Sequence, residues 1–159
     1  MNEMSSGGPS VTVVNPVKKR LPIMQFESED QAKAVCREWQ ERLYLTDWAI
    51  SVKLVDRVDP TIWLNGQIDI SQNYLHARIR ITKNCIQDDT VLQCHEAILL
   101  HEILHCLYQT IGPEDTTDPK LINYNDLIHR HTERMTRTLI AAKYDLPYNW
   151  FDAQSHVLY

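Results

Sequence analysis

Apolar and polar positions follow two rhythms along this chain, and each rhythm predicts an element. Residues 1–20 keep neither: Gly7-Gly8-Pro9-Ser10 and Asn15-Pro16 are breaker runs, which predicts a flexible arm. Ala32, Val35, Cys36, Trp39 and Leu43 then recur at spacings of three and four, the stripe of an amphipathic helix. Ser28 with Gln31 makes its capping box, and Glu29 and Asp30 suit its first turn. After Thr46-Asp47 the period drops to two. Trp48, Ile50, Val52 and Leu54 alternate with Ala49, Ser51, Lys53 and Val55; Ile68 and Ile70 alternate with Gln67 and Asp69. Leu75, Ala77, Ile79 and Ile81 alternate with Tyr74, His76, Arg78 and Arg80. Asp59-Pro60 and Asn65-Gly66 read as turns. Three strands sharing one apolar face, followed only by helices, predict an α+β fold: a three-stranded antiparallel sheet packed on a helical layer.

Two helices complete the pattern. The first runs to about Tyr108, with Asp88-Asp89-Thr90 as cap candidates and Gly112-Pro113 closing it. A polar, acidic loop (114–118) leads to Asp118-Pro119, a good cap and first helical position, although Asn123 or Asn125 could also start the last helix. That helix continues through Ala141-Ala142 and stops before Leu146-Pro147. The tail Tyr148-Asn149-Trp150-Phe151 is aromatic enough to dock back on the domain. The organisation expected is an arm (1–20), one domain (21–147) and a docking tail (148–159).

The first of these helices carries candidate chemistry. His101-Glu102-Ile103-Leu104-His105 lies inside a run that is apolar almost all round, Ile98 to Leu107. Histidines four apart project from one helical face, and with a glutamate after the first they form the H-E-x-x-H arrangement that binds zinc beside a general base. A helix apolar on all sides is buried, and buried imidazoles and carboxyls need partners. His95 and Glu96 fall on the outer flank of this helix, and His76 on the polar face of its strand; both are read as surface.

Composition narrows the possibilities. The 159 residues suffice for one domain, and 43% hydrophobic with 23% charged residues is ordinary for a soluble globular chain. A formal charge of −5 argues against a nucleic-acid binder. Lys18-Lys19-Arg20, Arg78 and Arg80 read as solvated surface. Cys36, Cys85, Cys94 and Cys106 show no C-x-x-C pairing, which argues against a Cys-type zinc ribbon and a disulfide framework. No apolar leader follows Met1 and no run reaches membrane-spanning length, so a cytoplasmic protein with no membrane role is expected.

Catalytic zinc sites use three protein ligands and leave a position open. The short route to a third ligand fails: Tyr108 and Ile111 stand where a metzincin would carry glycine and histidine. A histidine in a short His-Gly turn, as in SprT-like proteases, also has no counterpart between His105 and Asp118. The last helix offers His129, His131 and Glu133. Ile128, Thr132, Met135 and Leu139 form one stripe, read as core. Ile122, His129, Glu133, Thr136 and Ile140 form the adjacent one, polar in the middle, as suits a face around a buried site. His131 falls on the other flank with Tyr124, Leu127 and Thr138.

These motifs resemble the gluzincins, most closely their short phage-type and ImmA-like members. Trp48-Ala49-Ile50 resembles their tryptophan strand, His101 to His105 their zinc helix, and His129 to Leu139 the helix that carries the third ligand. The resemblance implies a zincin-like domain, one zinc per chain, a peptide or protein substrate, and a host-cytoplasm setting if the chain is phage-encoded. Laid on that pattern, His129 takes the place of the family's carboxylate ligand and Glu133 the place of the residue that steadies a zinc histidine; a shifted register would make Glu133 the ligand. The expected function is a zinc-dependent peptidase with His101, His105 and His129 as ligands and Glu102 as general base. Tyr124, His131 and Tyr108 are candidate oxyanion donors, and the strand at 74–81 could pair its edge with a peptide. The alternative is a catalytically inactive, zinc-stabilised binding or regulatory module, which a fourth ligand such as His131 or Cys94 would favour.

Overall fold

The computed structural model describes residues 20–62, 64–85, 94–109, 119–147 and 149–155. Helix α1, Glu29–Arg42, starts at Ser28, whose hydroxyl accepts the Gln31 N–H at 3.2 Å; Gln31 Oε1 in return accepts the Glu27 N–H at 2.8 Å. This is a capping box with its return arm displaced by one residue. The far end closes as a Schellman turn: Leu45 N–H donates to Gln40 O at 2.8 Å and Tyr44 N–H to Glu41 O at 3.3 Å. Tyr44 holds the left-handed position, at φ 56.

Strands β1 (Ala49–Val55), β2 (Gly66–Ser71) and β3 (His76–Thr82) form one sheet in the order β1-β3-β2. The sheet is mixed, not antiparallel throughout: β3 pairs antiparallel with β2 and parallel with β1. A 3-10 turn at Gln72–Tyr74, with Leu75 at φ 46, folds β3 straight back along β2. The connection 56–65 is long enough to carry β2 to the far edge, so β3 returns in the middle, running the same way as β1. A period of two assigns each residue to a face and says nothing of strand direction. Two local expectations also fail. Leu75 belongs to the turn, and Asn65-Gly66 is no turn but the start of β2, with Asn65 O accepting the Thr82 N–H at 2.9 Å.

Paired residues share a face, so the register defines three inward rows: Leu54–Ile81–Gly66, Val52–Ile79–Ile68 and Ile50–Ala77–Ile70. Ala77, Ile79 and Ile81 are fully buried, while His76 and Arg78 face outward and are exposed. Helix α1 packs on β1; α2, His95–Gln109, packs on β2 and β3 and touches both α1 and α3. The result is two layers, with α2 at the centre of the helical one.

His95 and Glu96 are not on an outer flank. Both are fully buried, because the segment 23–26, α1 and α3 close over this end of α2. The first N–H groups of α2 donate to backbone: His95 to Met24 O and Glu96 to Ile23 O. The Glu96 carboxylate collects four donors: Ile23 N–H at 3.0 Å, Trp39 Nε1–H at 3.1 Å, Lys143 Nζ at 2.7 Å and Tyr144 OH at 2.6 Å. A buried carboxylate is tolerable on those terms.

Helix α3, Pro119–Tyr144, ends on a second Schellman turn, with Asp145 at φ 50 and Leu146 N–H on Ala141 O at 2.9 Å. Helix α4, Trp150–Ser155, packs Phe151 against the core. The arm up to residue 19, the cap candidates Asp88-Asp89-Thr90, Gly112-Pro113, the loop 114–118 and Tyr148 lie outside the described residues. No helix among the described residues is long and apolar enough to cross a membrane.

Candidate metal centre

The inward face of α2 sets His101, Glu102 and His105 along one cleft wall, and α3 brings His129 and Glu133 to face them. The cleft, about 370 Å³, is completed by Leu64, Gly66 and Ile68 at the β2 edge, with Ile98 beneath. Ring centroids lie 5.0 Å apart for His101 and His105, 4.9 Å for His101 and His129, and 6.2 Å for His105 and His129. Among the described residues, no three His, Cys, Asp or Glu side chains are oriented as a finished ligand set.

Burial governs the electrostatics. It pushes the His101 imidazole down to about 3, helped by the neighbouring His105 and His129, and His105 down to about 4, helped by His129. Both rings are neutral, the form that offers a nitrogen lone pair. Burial pushes the Glu102 carboxyl up to about 8. Glu102 lies directly beneath β2: a Cβ at Gly66 would come within 2.8 Å of its Oε1.

Glu133 faces a different part of the site. Its Oε2 is 3.8 Å from His101 Nδ1, a buried atom with no hydrogen-bond partner. Its Oε1 accepts both Nε–H (3.1 Å) and Nη2–H (3.0 Å) of Arg137.

The oxyanion-donor candidates do not line this cleft. His131 is exposed and stands edge-on to Tyr108, 5.7 Å between centroids; Tyr124, half-buried near the start of α3, does not line it either. Cys94 is also remote, its Sγ–H donating to Ile23 O. The expectation that β3 offers an edge is corrected: β3 is the central strand, and β2 borders the cleft.

Sequence reasoning missed Gly66 and Arg137. Gly66 is one of only four glycines in the chain and opens an alternating strand, a sign of close approach rather than a turn. Arg137 stands four residues after Glu133, the spacing of a helical ion pair. No protein family, curated protein or solved structure matches this chain.

Proposed function

We propose that the chain is a zinc-dependent peptidase with His101, His105 and His129 as metal ligands and Glu102 as general base. The observation that carries the reading is the gathering of three imidazoles from two helices around one cleft, with a buried carboxyl in the same wall. Three imidazoles bound tetrahedrally at roughly 2.0–2.1 Å hold their centroids about 5 Å apart. Two of the three separations already have that value, and the His105–His129 pair, at 6.2 Å, needs to close by about 1 Å.

The unpartnered Nδ1 of His101 supports His129 rather than Glu133 as the third ligand. An Nδ1–H turned toward Glu133 leaves Nε2 as the ring's free lone pair, and Glu133 then orients a ligand instead of being one. A zinc held by these residues would supply Lewis acidity toward water and the scissile carbonyl, and beside such a cation the Glu102 carboxyl would be ionised. Glu102 takes the proton of the attacking water and passes it to the leaving amine. An extended peptide would lie along the outer edge of β2, which pairs with β3 on its other side. The inactive, closed-site module has less support, since neither Cys94 nor His131 lines the cleft as a fourth ligand.

Metal analysis should find about one zinc per chain, and finding none would sink the proposal. Glu102→Gln should keep the metal and lose cleavage of a degenerate peptide library; equal turnover would remove Glu102 as the base.

A further inference from the structure

The carboxylate of Glu133 is itself held. Arg137, one turn on along α3, places two N–H groups on the same oxygen, Oε1, and this turns Oε2 toward His101 Nδ1. Arg137 is held in turn from outside its helix. Its Nη1–H donates to Asp152 Oδ1 of α4 at 3.0 Å, and its guanidinium lies 5.4 Å from the centroid of the Phe151 ring, which packs against the core. A surface ion pair four residues apart on a helix is ordinarily worth little and leaves both side chains mobile. Here a fork on one oxygen, a second acceptor and an aromatic face restrict Arg137 together.

We propose that Arg137, anchored by Asp152 and Phe151 of α4, is a positioning residue that aims Glu133 at His101 and so fixes that imidazole as a metal ligand. The inference rests on the zinc reading above for its functional consequence, and on the Arg137–Glu133–His101 geometry for its structural content. At 3.8 Å the Glu133–His101 pair is aimed but not closed; bringing it to hydrogen-bond length takes a movement of about 1 Å. An oriented carboxylate makes that movement without searching other rotamers. The C-terminal helix thereby becomes part of the metal site without touching it.

Two measurements test this. In metal-free protein, long-range ¹H–¹⁵N NMR of the imidazoles should find His101 as the Nδ1–H tautomer, and Arg137→Met, which keeps an unbranched stem over Phe151, should shift it toward the Nε2–H form. An unchanged tautomer in the variant overturns the proposal, whether or not the protein binds zinc. In chelator competition, Arg137→Met should weaken zinc binding by about 10- to 100-fold, the usual cost of losing a partner that orients a ligand. The same substitution in a Glu133→Ala background should cost nothing further; an equal loss in both backgrounds would mean that Arg137 acts through the fold alone. Wild-type protein that binds no zinc would refute the peptidase reading, with the tautomer measurement still deciding the role of Arg137.

Discussion

Gly66→Ala isolates the contact between β2 and Glu102. A Cβ at this position would stand 2.6 Å from Ile98 Cγ2, 2.8 Å from Glu102 Oε1 and 3.3 Å from Glu102 Cγ. Ordinary carbon contacts start near 3.5 Å, so the worst contact is short by about 0.9 Å. Ile98 is 3% exposed, which leaves the methyl at the shortest contact no easy way out. Two effects compete. Removing a glycine from the unfolded chain favours folding by about 0.4–1 kcal/mol, and overpacking a filled site costs about 1–3 kcal/mol. The larger wins, giving a net loss of about 1–2 kcal/mol. Urea unfolding should show a lower midpoint at unchanged slope. In an Ile98→Ala background, where the nearest obstruction is gone, the same substitution should cost less. A Gly66→Ala variant as stable as the parent would refute the close approach of β2 to Glu102. In the peptidase reading it should also lose turnover, on the order of 100-fold for a base displaced by about 1 Å.

Three further outcomes follow from other parts of the structure. In metal-free protein, burial raises the Glu102 carboxyl from its ordinary 4.5 to about 8. Between those values the unfolded chain ionises first, so stability falls as pH rises, and Glu102→Gln should gain on the parent by several kcal/mol across that window. A stability difference that stays flat with pH would contradict this. Tyr44 holds a left-handed turn at φ 56 with 91% of its surface exposed, so Tyr44→Gly should raise stability by about 0.5–1 kcal/mol in thermal unfolding; a loss would mean that the ring makes an undetected contact. Glu96→Ala strands Trp39 Nε1–H, the Ile23 N–H and the Tyr144 hydroxyl, while Lys143 keeps Glu38 at 2.9 Å. The expected cost is about 3–5 kcal/mol, and a cost below about 1 kcal/mol would remove Glu96 as the tie between these elements.

Short-range rules sufficed at most places where neighbours along the chain decide the conformation, the turn expected at Asn65-Gly66 and the strand position of Leu75 being the exceptions. The box at Ser28 and Gln31, the stripe from Ala32 to Trp39, the alternation of all three strands and the stop before Leu146-Pro147 are contests between a residue and those within four positions of it, and the folded chain settles them as its sequence predicts. The spacing of His101, Glu102 and His105 belongs to the same class, because one helical turn is enough to align them. Strand direction does not. Alternation is the same whichever way a strand runs, so only the long 56–65 connection and the tight Gln72–Tyr74 turn, acting together, make β1 and β3 parallel. The surface reading of His95 and Glu96 failed for a related reason: polarity on one helix cannot reveal that three other elements cover it and bring donors of their own. The meeting of His129 with the α2 histidines, the approach of Gly66 to Glu102 and the hold of α4 on Arg137 join residues far apart in sequence. They exist because whole elements pack together, α3 and β2 against α2 and α4 against α3, and that packing, rather than any local pattern, decides which side chains meet.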